Sequence, residues 1–549
     1  MNHRSSLYAF LATIAAPFGL LTSSQAERPN IIFILTDDHR QTDLGCYGND
    51  IVRTPNIDKM AEEGVLFENA SITSAICTPS RISYFLGQYE RKHGVNFNSG
   101  TAISQSAWAK SYPVILRENG YFTGYVGKNH APIGARGYET GIMDASFDYF
   151  YAGHGHIRFY PKQVHQIFQH AKNDTQVELI QEGVTEFLTP EQPSYLGGAQ
   201  KFLSARPKDQ PFCLSICLNV PHGASTESMK LLPTDPELYR TAYRDQIETL
   251  PLPPNYLAKA DIETPKLPAD ILHTDYRQNG YDWADTPATT RERRVRHYQT
   301  ITGIDRMVGK IREQLEQLNL TENTLIVFSS DHGLFAGEQG LGGKALNYEV
   351  CLAVPFIVYD PRLPKEKRGQ RRTELVQSID LAPTLLDLAN LDPEPSMQGE
   401  SILPLLTEED PAWRTHAFAE NLWSTYFGNP RVESVRTERW KYIRYFKNDR
   451  NNWKDLEGAK GVRLYQVSSK QRKLYNHWRA ASVNGEQPVY EELYDLANDP
   501  HETINLVDNE KHSTTLVELR ERCQQSVTQA YDNTPTASVV PLTPGTDSK

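Results

Sequence analysis

The sequence is poor in cysteine, which limits how the fold can be held together. Six cysteines occur in 549 residues, at positions 46, 77, 213, 217, 351 and 523. Exported domains that depend on disulfide bonds carry cysteines far more densely. Cys213 and Cys217 fall on one face of a predicted strand, where they suit core packing better than bridging. We therefore predict no essential disulfide, and we expect a chain of this length to bury a sizeable hydrophobic core.

Net positive charge is also lacking. The formal charge is -11, which argues against a general binder of polyanions such as nucleic acids. We therefore predict no nucleic-acid partner. Any recognition of anions must come from a local cluster of basic groups.

Long apolar runs are absent after the N-terminus. Arg4 precedes an apolar run from Leu7 to Leu21, and Ser24-Gln25-Ala26 follows as a small-x-small cleavage signal. This pattern predicts a signal peptide over residues 1–26 and a periplasmic or secreted protein. The alternative is an uncleaved anchor, but the run is shorter than the roughly 20 apolar residues that a span needs. No later segment is apolar enough to cross a bilayer, so we expect no membrane span in the mature form.

Strand and helix signals alternate along most of the chain. Buried strands are predicted where short apolar runs are rich in β-branched residues, at 30–35, 211–220 and 324–328. Ile301 to Leu318 carries apolar residues at spacings of three and four, which predicts an amphipathic helix. This alternation is typical of an α/β fold with a largely parallel sheet.

The rest of the chain divides into less regular parts. Residues 225 to 290 are rich in proline and polar side chains, and we interpret them as an excursion over the active-site face. Short alternating stretches at 431–435 and 440–446 predict a small antiparallel sheet, and 515–530 predicts a terminal helix. We therefore expect a catalytic α/β domain over 27–395, a smaller sheet-plus-helix domain over 396–533 and a disordered tail over 534–549.

Acidic and histidine side chains follow the predicted buried strands. Asp37 and Asp38 end one strand, Asp331 and His332 end another, and His222 follows a third. Ligands of α/β proteins bind at the carboxyl ends of strands. Carboxylate oxygens favour calcium or magnesium, whereas a dinuclear zinc phosphatase would need more histidines. Each acidic pair alone could be an ordinary loop residue that caps a helix, but two pairs at strand ends favour a metal site.

A second cluster occurs in Cys77-Thr78-Pro79-Ser80-Arg81. Pro79 suits the first turn of a helix, so Cys77 should lie at that helix's N-terminus. Unpaired backbone N–H groups there, together with the Arg81 cation, suit a tetrahedral oxyanion. A lone cysteine is more often a plain buried thiol. A thiolate phosphatase loop would separate Cys and Arg by about five residues, whereas three separate them here.

Cys-x-Pro-x-Arg, continuing to Gly87, resembles the signature of the type I sulfatases, which belong to the alkaline-phosphatase-like superfamily. The resemblance covers most of residues 28 to 395 through five separated motifs in the family's order. It implies a large mixed, mostly parallel sheet sandwiched by helices, with a smaller C-terminal α+β domain. It also implies that a formylglycine-generating or maturase enzyme converts Cys77 to formylglycine.

The resemblance assigns two sets of site residues. One divalent cation, usually calcium, would be held by an oxygen of residue 77 together with Asp37, Asp38, Asp331 and His332. The catalytic set would be Cys77, Arg81, Lys128, His130, His222 and Lys344. Singly, each lysine or histidine could be a solvated or structural residue.

The resemblance further implies a mechanism. The hydrated aldehyde at residue 77 is a gem-diol, and the cation acidifies its attacking hydroxyl. Three basic side chains, those of Arg81, Lys128 and Lys344, would bind the sulfate oxygens and stabilise charge in the transition state. His222 would protonate the leaving alcohol. His130 would take a proton from the remaining hydroxyl, which expels sulfate.

The sequence departs from the family near the expected pocket. Asn129 stands where tryptophan is common, Ala224 replaces a frequent proline, and Leu86 and Gln88 replace the usual Thr and Arg. These changes leave the reaction class intact but obscure the substrate.

Some residues near the expected pocket stay without a role. His154 and His156 could contact a sugar or be structural. Basic clusters at 291–296 and 365–372 could hold a sulfated polymer, although such runs are usually solvated.

These observations favour an exported sulfatase acting on a sulfated carbohydrate. A phosphodiesterase or phosphonate monoester hydrolase of the same superfamily is the alternative. A non-catalytic glycan-binding protein would need a broken site, and every expected position is filled.

Overall fold

The computed structural model describes residues 28–97, 99–154, 157–161, 176–179, 195–222, 237–268, 271–272, 281–423, 430–447, 469–531 and 539–541. The predicted signal peptide over 1–26, Ala224, His156 and three parts of the expected excursion, 225–236, 269–270 and 273–280, lie outside the described residues. The side chain of His154 is not described either, so the two histidines left without a role stay unassigned.

A mixed sheet of eight strands forms the centre of the described chain. In chain order the strands are β1 (Asn30–Asp37), β2 (Val65–Phe67), β3 (Phe122–Asn129), β4 (Tyr149–His154), β5 (Phe212–Pro221), β6 (Thr324–Ser330), β7 (Phe356–Tyr359) and β8 (Gln370–Arg372). Their spatial order is β8-β2-β7-β6-β1-β5-β3-β4. Only β7 runs antiparallel to its neighbours, which confirms the expected mixed, mostly parallel sheet.

Helices cover both faces of this sheet. The longer helices of the described chain, the last two of which lie in the C-terminal part, are α1 (Pro55–Glu62), α2 (Cys77–Leu86), α3 (Tyr112–Glu118), α4 (Tyr195–Ala205), α5 (Pro287–Gln317), α6 (Leu381–Leu388), α7 (Ser469–Ala481) and α8 (Ser513–Ala530). Shorter helices are Glu90–His93, Gln105–Trp108, Ile142–Ala145, Glu237–Thr241, Glu349–Leu352 and Leu403–Thr407.

The pleat of β1 divides the interior into two cores. Ile31, Phe33 and Leu35 pack into one core with α2, α3 and α6, whereas Ile32 and Ile34 pack into the other with α1, α4 and α5. Successive side chains of a strand point to opposite faces, so an unbroken apolar run marks a strand that is buried on both. Because both faces of β1 are covered, its side chains can reach a ligand only at an end of the strand. Asp37 lies at the carboxyl end.

The long helix α5 begins earlier than the apolar stripe predicted. It spans Pro287–Gln317, and the Thr286 side chain caps it by accepting a hydrogen bond of 3.2 Å from the Thr289 N–H. The expectation of a solvated basic cluster over 291–296 is wrong for two members, since Arg293 and Arg296 are 4% and 2% exposed. A basic helical turn can therefore face the protein interior when its cations find partners.

The second basic cluster, over 365–372, lies at the edge of the sheet. Arg371 is exposed and pairs with Glu68 at 2.6 Å, while Arg368 is half-buried and bonds backbone carbonyls. The described contacts of this cluster are therefore local ones.

A smaller antiparallel sheet follows in the C-terminal part. Its strands β9 (Ala417–Asn421), β10 (Arg431–Arg436), β11 (Trp440–Phe446) and β12 (Tyr490–Asp495) pair in chain order. Helix α8 packs on one face through Leu519 and Cys523, while Ile443 and Tyr494 on the other face join the core beneath β1. The smaller C-terminal antiparallel sheet predicted from the sequence is therefore confirmed, and one of its faces packs against the main core.

Three further expectations can be compared with the structure. All six cysteines lie in described ranges and are free thiols. None of the described helices is long and apolar enough to cross a membrane. Within the tail predicted to be disordered from Thr534, the structure instead places Val539–Pro541 as a strand antiparallel to Thr101–Ile103, because backbone pairing is available there.

Candidate active site

The site lies where β1 and β6 end side by side. The parallel register pairs Thr36 with Ser330, so the next residues, Asp37 and Asp331, leave the sheet at the same edge. The Asp38 N–H donates to Asp331 Oδ1 at 3.3 Å and holds the two strand ends together. Asp37 and Asp331 are fully buried and Asp38 is 2% exposed. Three buried carboxylates therefore meet at one point, which requires positive charge nearby.

The backbone of Asp38 turns the second carboxylate into the same pocket. Consecutive side chains of a strand point to opposite faces, which would separate Asp37 from Asp38. At Asp38 the chain instead adopts a left-handed conformation with φ 59°. Aspartate tolerates this conformation better than most residues. Both carboxylates therefore take part in one site.

Helix α2 delivers the proposed nucleophile to these strand ends. It begins at Cys77, as the position of Pro79 predicted, and Ile76 precedes it in an extended conformation. The Ser80 hydroxyl donates to the Asp331 carbonyl at 2.6 Å, and the Tyr84 hydroxyl donates to the Ser330 carbonyl at 3.0 Å. These two bonds fix the first turns of α2 against the end of β6.

The Cys77 thiol is surrounded by groups of both charges. Its Sγ lies 3.2 Å from His332 Nε2, 3.4 Å from Lys344 Nζ and 3.7 Å from Asp37 Oδ1. Four residues form a group whose ligand atoms all lie within 4.8 Å of one another: Asp37, Cys77, Asp331 and His332. Such a group could hold a metal ion, which is the kind of site that the acidic residues at the strand ends predicted.

Arg81 bridges the two strand ends from below. Its Nε donates to Asp331 Oδ2 at 2.8 Å, and its Nη2 donates to Asp37 Oδ2 at 3.0 Å and to the Leu218 carbonyl at 2.8 Å. The side chain is 1% exposed. Its Nη1 is also buried and has no hydrogen-bond partner in the described part of the chain. Arg81 therefore positions the two carboxylates, and its Nη1 is left as a donor without a partner among the described residues.

Two lysines complete the positive charge. Lys128, the penultimate residue of β3, pairs with Asp37 Oδ2, and Lys344 Nζ donates to Asp38 Oδ1 at 3.0 Å. Burial raises the pKa of Asp37, but Lys128 and Arg81 outweigh burial and hold that pKa well below its usual value. Burial lowers the pKa of Lys344, but Asp38, Cys77 and further neighbours together outweigh burial and raise that pKa well above normal. Lys344 is thus held as a cation beside ionised carboxylates, and Lys128 adds its ion pair with Asp37.

The two predicted histidines beside Asp38 differ in exposure. His332 is fully buried, and its Nδ1 lies 3.0 Å from Asp38 Oδ1. Burial lowers the pKa of His332, but Asp331 raises it, and the resulting pKa is about 9. His222 is partly exposed, and its Nε2 lies 3.7 Å from Asp38 Oδ2. His222 is therefore the histidine of this pair that a ligand entering from solvent could contact.

His130 is the predicted residue with the least direct link to this cluster. It follows β3 immediately and so leaves the sheet at the same edge as Asp37. Its ring centre lies 6.4 Å from that of Phe97. The structure thus places it beside the site, and its catalytic role stays a prediction.

A loop from Gly342 to Leu352 carries Lys344 and is held by the C-terminal sheet. Asn347 Nδ2 donates to the Ala419 carbonyl and to Ser434 Oγ, both at 2.9 Å. The Tyr348 hydroxyl donates to Glu492 at 2.8 Å. All of these partners lie on β9, β10 or β12, so the small sheet anchors the segment that carries Lys344.

Sequence reasoning missed two tyrosines beside the site. Burial raises the pKa of Tyr138, and the nearby Cys77 raises it further. Burial also raises the pKa of Tyr281, on which Lys344 and Asp38 act as well. No motif marks either tyrosine, because each reaches the site through a loop whose path only the fold determines.

Two family models match the chain. The sulfatase model matches residues 29–391, which is more than half of the chain, and the model of the N-sulphoglucosamine sulphohydrolase C-terminal region matches residues 337–460. The second match spans the loop of Lys344 and the first strands of the small sheet.

Characterised relatives resemble the chain over most of its length. An N-acetylglucosamine-6-O-sulfatase of Bacteroides thetaiotaomicron is 25% identical over 578 residues, covering 96% of this chain and 90% of the relative. An ulvan-active sulfatase of Formosa agariphila is 28% identical over 495 residues, covering 89% and 78%.

Solved structures show the same fold. A protein solved in complex with its substrate D-glucosamine-2-N,6-O-disulfate superposes with a TM-score of 0.66 at 21% identity, covering 93% of this chain and 99% of that one. A phosphonate monoester hydrolase of Agrobacterium radiobacter gives a TM-score of 0.61 at 20% identity, covering 94% and 100%. The family match and these likenesses agree, and the chain belongs to the sulfatase family of sulfuric ester hydrolases, within the alkaline-phosphatase-like superfamily.

Proposed function

We propose that the protein is an exported sulfatase that removes sulfate from a sulfated carbohydrate, using formylglycine at residue 77 and one bound calcium ion. The observation that carries the proposal is the position of Cys77. Its Sγ lies at the N-terminus of α2, within 3.7 Å of Asp37, His332 and Lys344. A nucleophile, candidate metal ligands and a cation for sulfate thus share one pocket.

The donor set fits a hard divalent cation. Asp37, Asp38 and Asp331 offer carboxylate oxygens, which suit calcium or magnesium better than softer metals. Formylglycine would present an oxygen where the Cys77 sulfur now lies. When bound, the cation would supply Lewis-acid stabilisation of charge on the sulfate and would acidify a hydroxyl of the hydrated residue 77.

The basic side chains would bind and orient the sulfate ester. Lys344 lies 3.4 Å from the Cys77 sulfur, so it can reach a sulfate oxygen next to the nucleophile. Arg81 Nη1 is a buried donor with no partner among the described residues, so it is available to an anion. Lys128 contributes a further buried positive charge. Fixed donors of this kind stabilise charge that develops in the transition state.

The two histidines would move protons. His222 is partly exposed and pairs with Asp38 at 3.7 Å, a position from which it can donate a proton to the leaving alcohol. His130 would accept a proton from residue 77 when sulfate is expelled. An unmodified serine or cysteine lacks the second hydroxyl that this last step needs.

The names of the relatives support the proposed substrate class. The names of the matched proteins include an N-acetylglucosamine-6-O-sulfatase, ulvan-active sulfatases and iduronate 2-sulfatases. All act on sulfated sugars, and the same class is proposed here. Residues 1–26 would direct export to the periplasm or medium, where such polymers are found.

A direct experiment tests modification and activity together. The protein is coexpressed with a formylglycine-generating enzyme, and mass spectrometry of the peptide that contains residue 77 measures conversion. The modified protein is then assayed on N-acetylglucosamine 6-sulfate, glucosamine-2-N,6-O-disulfate, iduronate 2-sulfate, ulvan fragments and 4-nitrophenyl sulfate. Sulfate release from a sugar is expected, and complete inactivity on all five would contradict the proposal.

The second candidate is a phosphonate monoester hydrolase or phosphodiesterase. It is favoured by the fold match to the phosphonate monoester hydrolase, which covers 94% of this chain. Parallel assays on bis(4-nitrophenyl) phosphate and a phenylphosphonate monoester separate the two. A higher kcat/KM on these esters than on any sulfate ester would favour the second candidate.

A further inference from the structure

Two partly exposed aromatic side chains stand at the edge of the site. Tyr281 and Trp283 lie on the short turn before α5, with ring centres 6.3 Å apart and planes inclined by 60°. Ala284, between this pair and α5, is fully buried. Its N–H donates to the Tyr281 carbonyl at 3.1 Å, and its carbonyl accepts from the Tyr256 hydroxyl at 3.0 Å. The aromatic pair is therefore presented by an anchored turn.

Arg293 links this turn to the catalytic residues. Its guanidinium carbon lies 5.3 Å from the centre of the Trp283 ring, within the range of a cation–π contact. Its Nη2 donates to the His222 carbonyl at 3.1 Å. The side chain is 4% exposed, so Arg293 supports its neighbours from below rather than facing solvent. The buried Arg293 side chain thus contacts both Trp283 and the backbone of His222, the proposed acid.

The aromatic pair lies close to the reacting centre. Lys344, Asp38 and Cys77 all act electrostatically on the Tyr281 hydroxyl. Tyr281 in turn raises the pKa of Lys344, after the larger effects of burial, Asp38 and Cys77. A molecule whose sulfate reaches Lys344 would therefore have Tyr281 as a neighbour, and the Trp283 ring centre lies 6.3 Å from that of Tyr281.

The chemistry of this surface suits a sugar ring. A pyranose has an apolar face of C–H groups and a rim of hydroxyls. Aromatic rings offer a large, rigid apolar area at low entropic cost, and a tyrosine adds a hydroxyl that can donate or accept. A partly exposed tryptophan beside a pocket that binds a small polar group can thus hold the rest of the ligand.

We propose that Trp283 and Tyr281 form the wall against which the pyranose that bears the sulfate ester packs. Arg293 is a positioning residue that holds this wall at a fixed position relative to His222. The inference rests on the proposed function, because it requires a sugar sulfate as the substrate. It adds the residues that select the sugar, which the catalytic set does not contain.

The test compares Trp283→Leu with Trp283→Phe. Leucine keeps apolar volume without an aromatic face, whereas phenylalanine keeps the face. The assays use the sulfated sugar that wild type hydrolyses fastest. For Trp283→Leu we expect KM to rise at least tenfold while kcat changes less than threefold. For Trp283→Phe we expect KM to stay within threefold of wild type.

Inorganic sulfate is the probe for the rest of the site. It occupies the sulfate pocket without a sugar, so its inhibition constant should stay within twofold of wild type in both variants. Trp440→Ala is the matched control, because Arg439 lies 5.0 Å from that ring on the C-terminal sheet. This control should leave both constants unchanged.

Arg293→Lys tests the positioning role. Lysine keeps the charge but loses the planar contact and the bond to the His222 carbonyl. We expect KM for the sugar sulfate to rise, and kcat to fall more for the sugar sulfate than for 4-nitrophenyl sulfate. A purely structural effect would lower both rates equally.

The outcomes separate this inference from the proposed function. If wild type releases no sulfate from any ester, the proposed function is wrong and the sugar wall is wrong with it. If wild type hydrolyses sugar sulfates but Trp283→Leu keeps a wild-type KM, only the wall is wrong. A parallel rise in the inhibition constant of inorganic sulfate would also overturn it, since the sulfate pocket would then have been disturbed.

Discussion

Arg81 Nε and Asp331 Oδ2 lie 2.8 Å apart, so a buried ion pair joins the helix that begins at Cys77 to the strand that ends at Ser330. The same guanidinium reaches Asp37 on β1 at 3.0 Å. Arg81 therefore sets the spacing between the nucleophile and two candidate metal ligands. Removing one member of such a buried network leaves its partners uncompensated.

The first prediction concerns this spacing. Arg81→Lys keeps the charge, but a single ammonium group cannot bridge Asp37, Asp331 and the Leu218 carbonyl together. We expect kcat/KM to fall by about 10²-fold or more, because the ligands and the nucleophile lose their geometry. Steady-state kinetics on 4-nitrophenyl sulfate measure the effect.

Arg371→Lys is the control for this substitution. Arg371 is exposed and pairs with Glu68 at 2.6 Å, a surface ion pair that contributes little to stability. Its rate should match wild type. If Arg81→Lys also kept a wild-type rate, the bridging role of Arg81 would be wrong.

The second prediction concerns residue 77. In Cys77→Ser the unmodified serine provides a single hydroxyl, so a sulfate ester formed there has no internal route to release. We expect multiple turnover to fall by about 10³-fold or more, with a sulfated peptide visible by mass spectrometry. Cys46→Ser, at a partly buried thiol away from the site, should keep activity. Normal steady-state rates for Cys77→Ser would contradict the scheme.

The third prediction concerns metal removal. Chelation with EGTA should abolish activity, and added calcium should restore it. Because an ion that binds only the folded state stabilises it, calcium at about 100 times its Kd should add about 2.7 kcal/mol and raise Tm. Asp331→Asn should lose this rise.

Asp360→Asn is the matched control for calcium binding. Asp360 also follows a strand of the sheet, but it bonds Arg362 at 2.6 Å instead of facing the site. Its calcium response should equal that of wild type. Equal Tm shifts in Asp331→Asn and wild type would remove Asp331 from the metal site.

The fourth prediction concerns proton donation. A nitrophenolate leaves readily without a proton, whereas a sugar alkoxide does not. His222→Ala should therefore lower kcat on the sugar sulfate by about 10²-fold or more and change kcat on 4-nitrophenyl sulfate much less. Equal losses on both substrates would exclude His222 as the acid.

The fifth prediction concerns the stability of the region behind the site. Burial raises the pKa of Glu90 to about 8, while Asn96, Tyr475 and Ser74 donate hydrogen bonds to it. The folded state thus keeps a proton that the unfolded state loses near pH 4.5, the usual value. Stability associated with Glu90 is complete below pH 4.5 and is lost as pH rises through about 8.

Glu90→Gln tests this sign because glutamine stays neutral. The free energy of unfolding of the variant relative to wild type should rise between pH 5 and pH 8 by an amount on the order of a few kcal/mol. Its Tm relative to wild type should rise over the same range. A difference that stays constant over this range would show that Glu90 does not titrate on unfolding.

The strand ends of the site were predictable from sequence. The apolar runs before Asp37 and Asp331 could only be strands buried on both faces, and parallel neighbours must end at one edge. Pro79 likewise located the start of α2. Local chemistry therefore marked Cys77, the proposed nucleophile, and the candidate metal ligands that the structure brings together.

Other parts of the site depended on long-range packing. Arg293 looked like one member of a solvated basic run, because nothing in the local sequence showed that the first turns of α5 lie beneath Trp283. Tyr281 belongs to a segment without periodicity. Their positions follow from how α5 crosses the sheet, which no spacing rule reveals.

The attachment of Lys344 to the small sheet has a consequence for dissecting the chain. Asn347 and Tyr348 find their buried partners on Ala419, Ser434 and Glu492. A fragment that stops at residue 395 would retain the nucleophile and both strand ends, yet one wall of its pocket would have no scaffold. Substitutions in the small sheet can thus shift the segment that carries Lys344 without touching any reacting group.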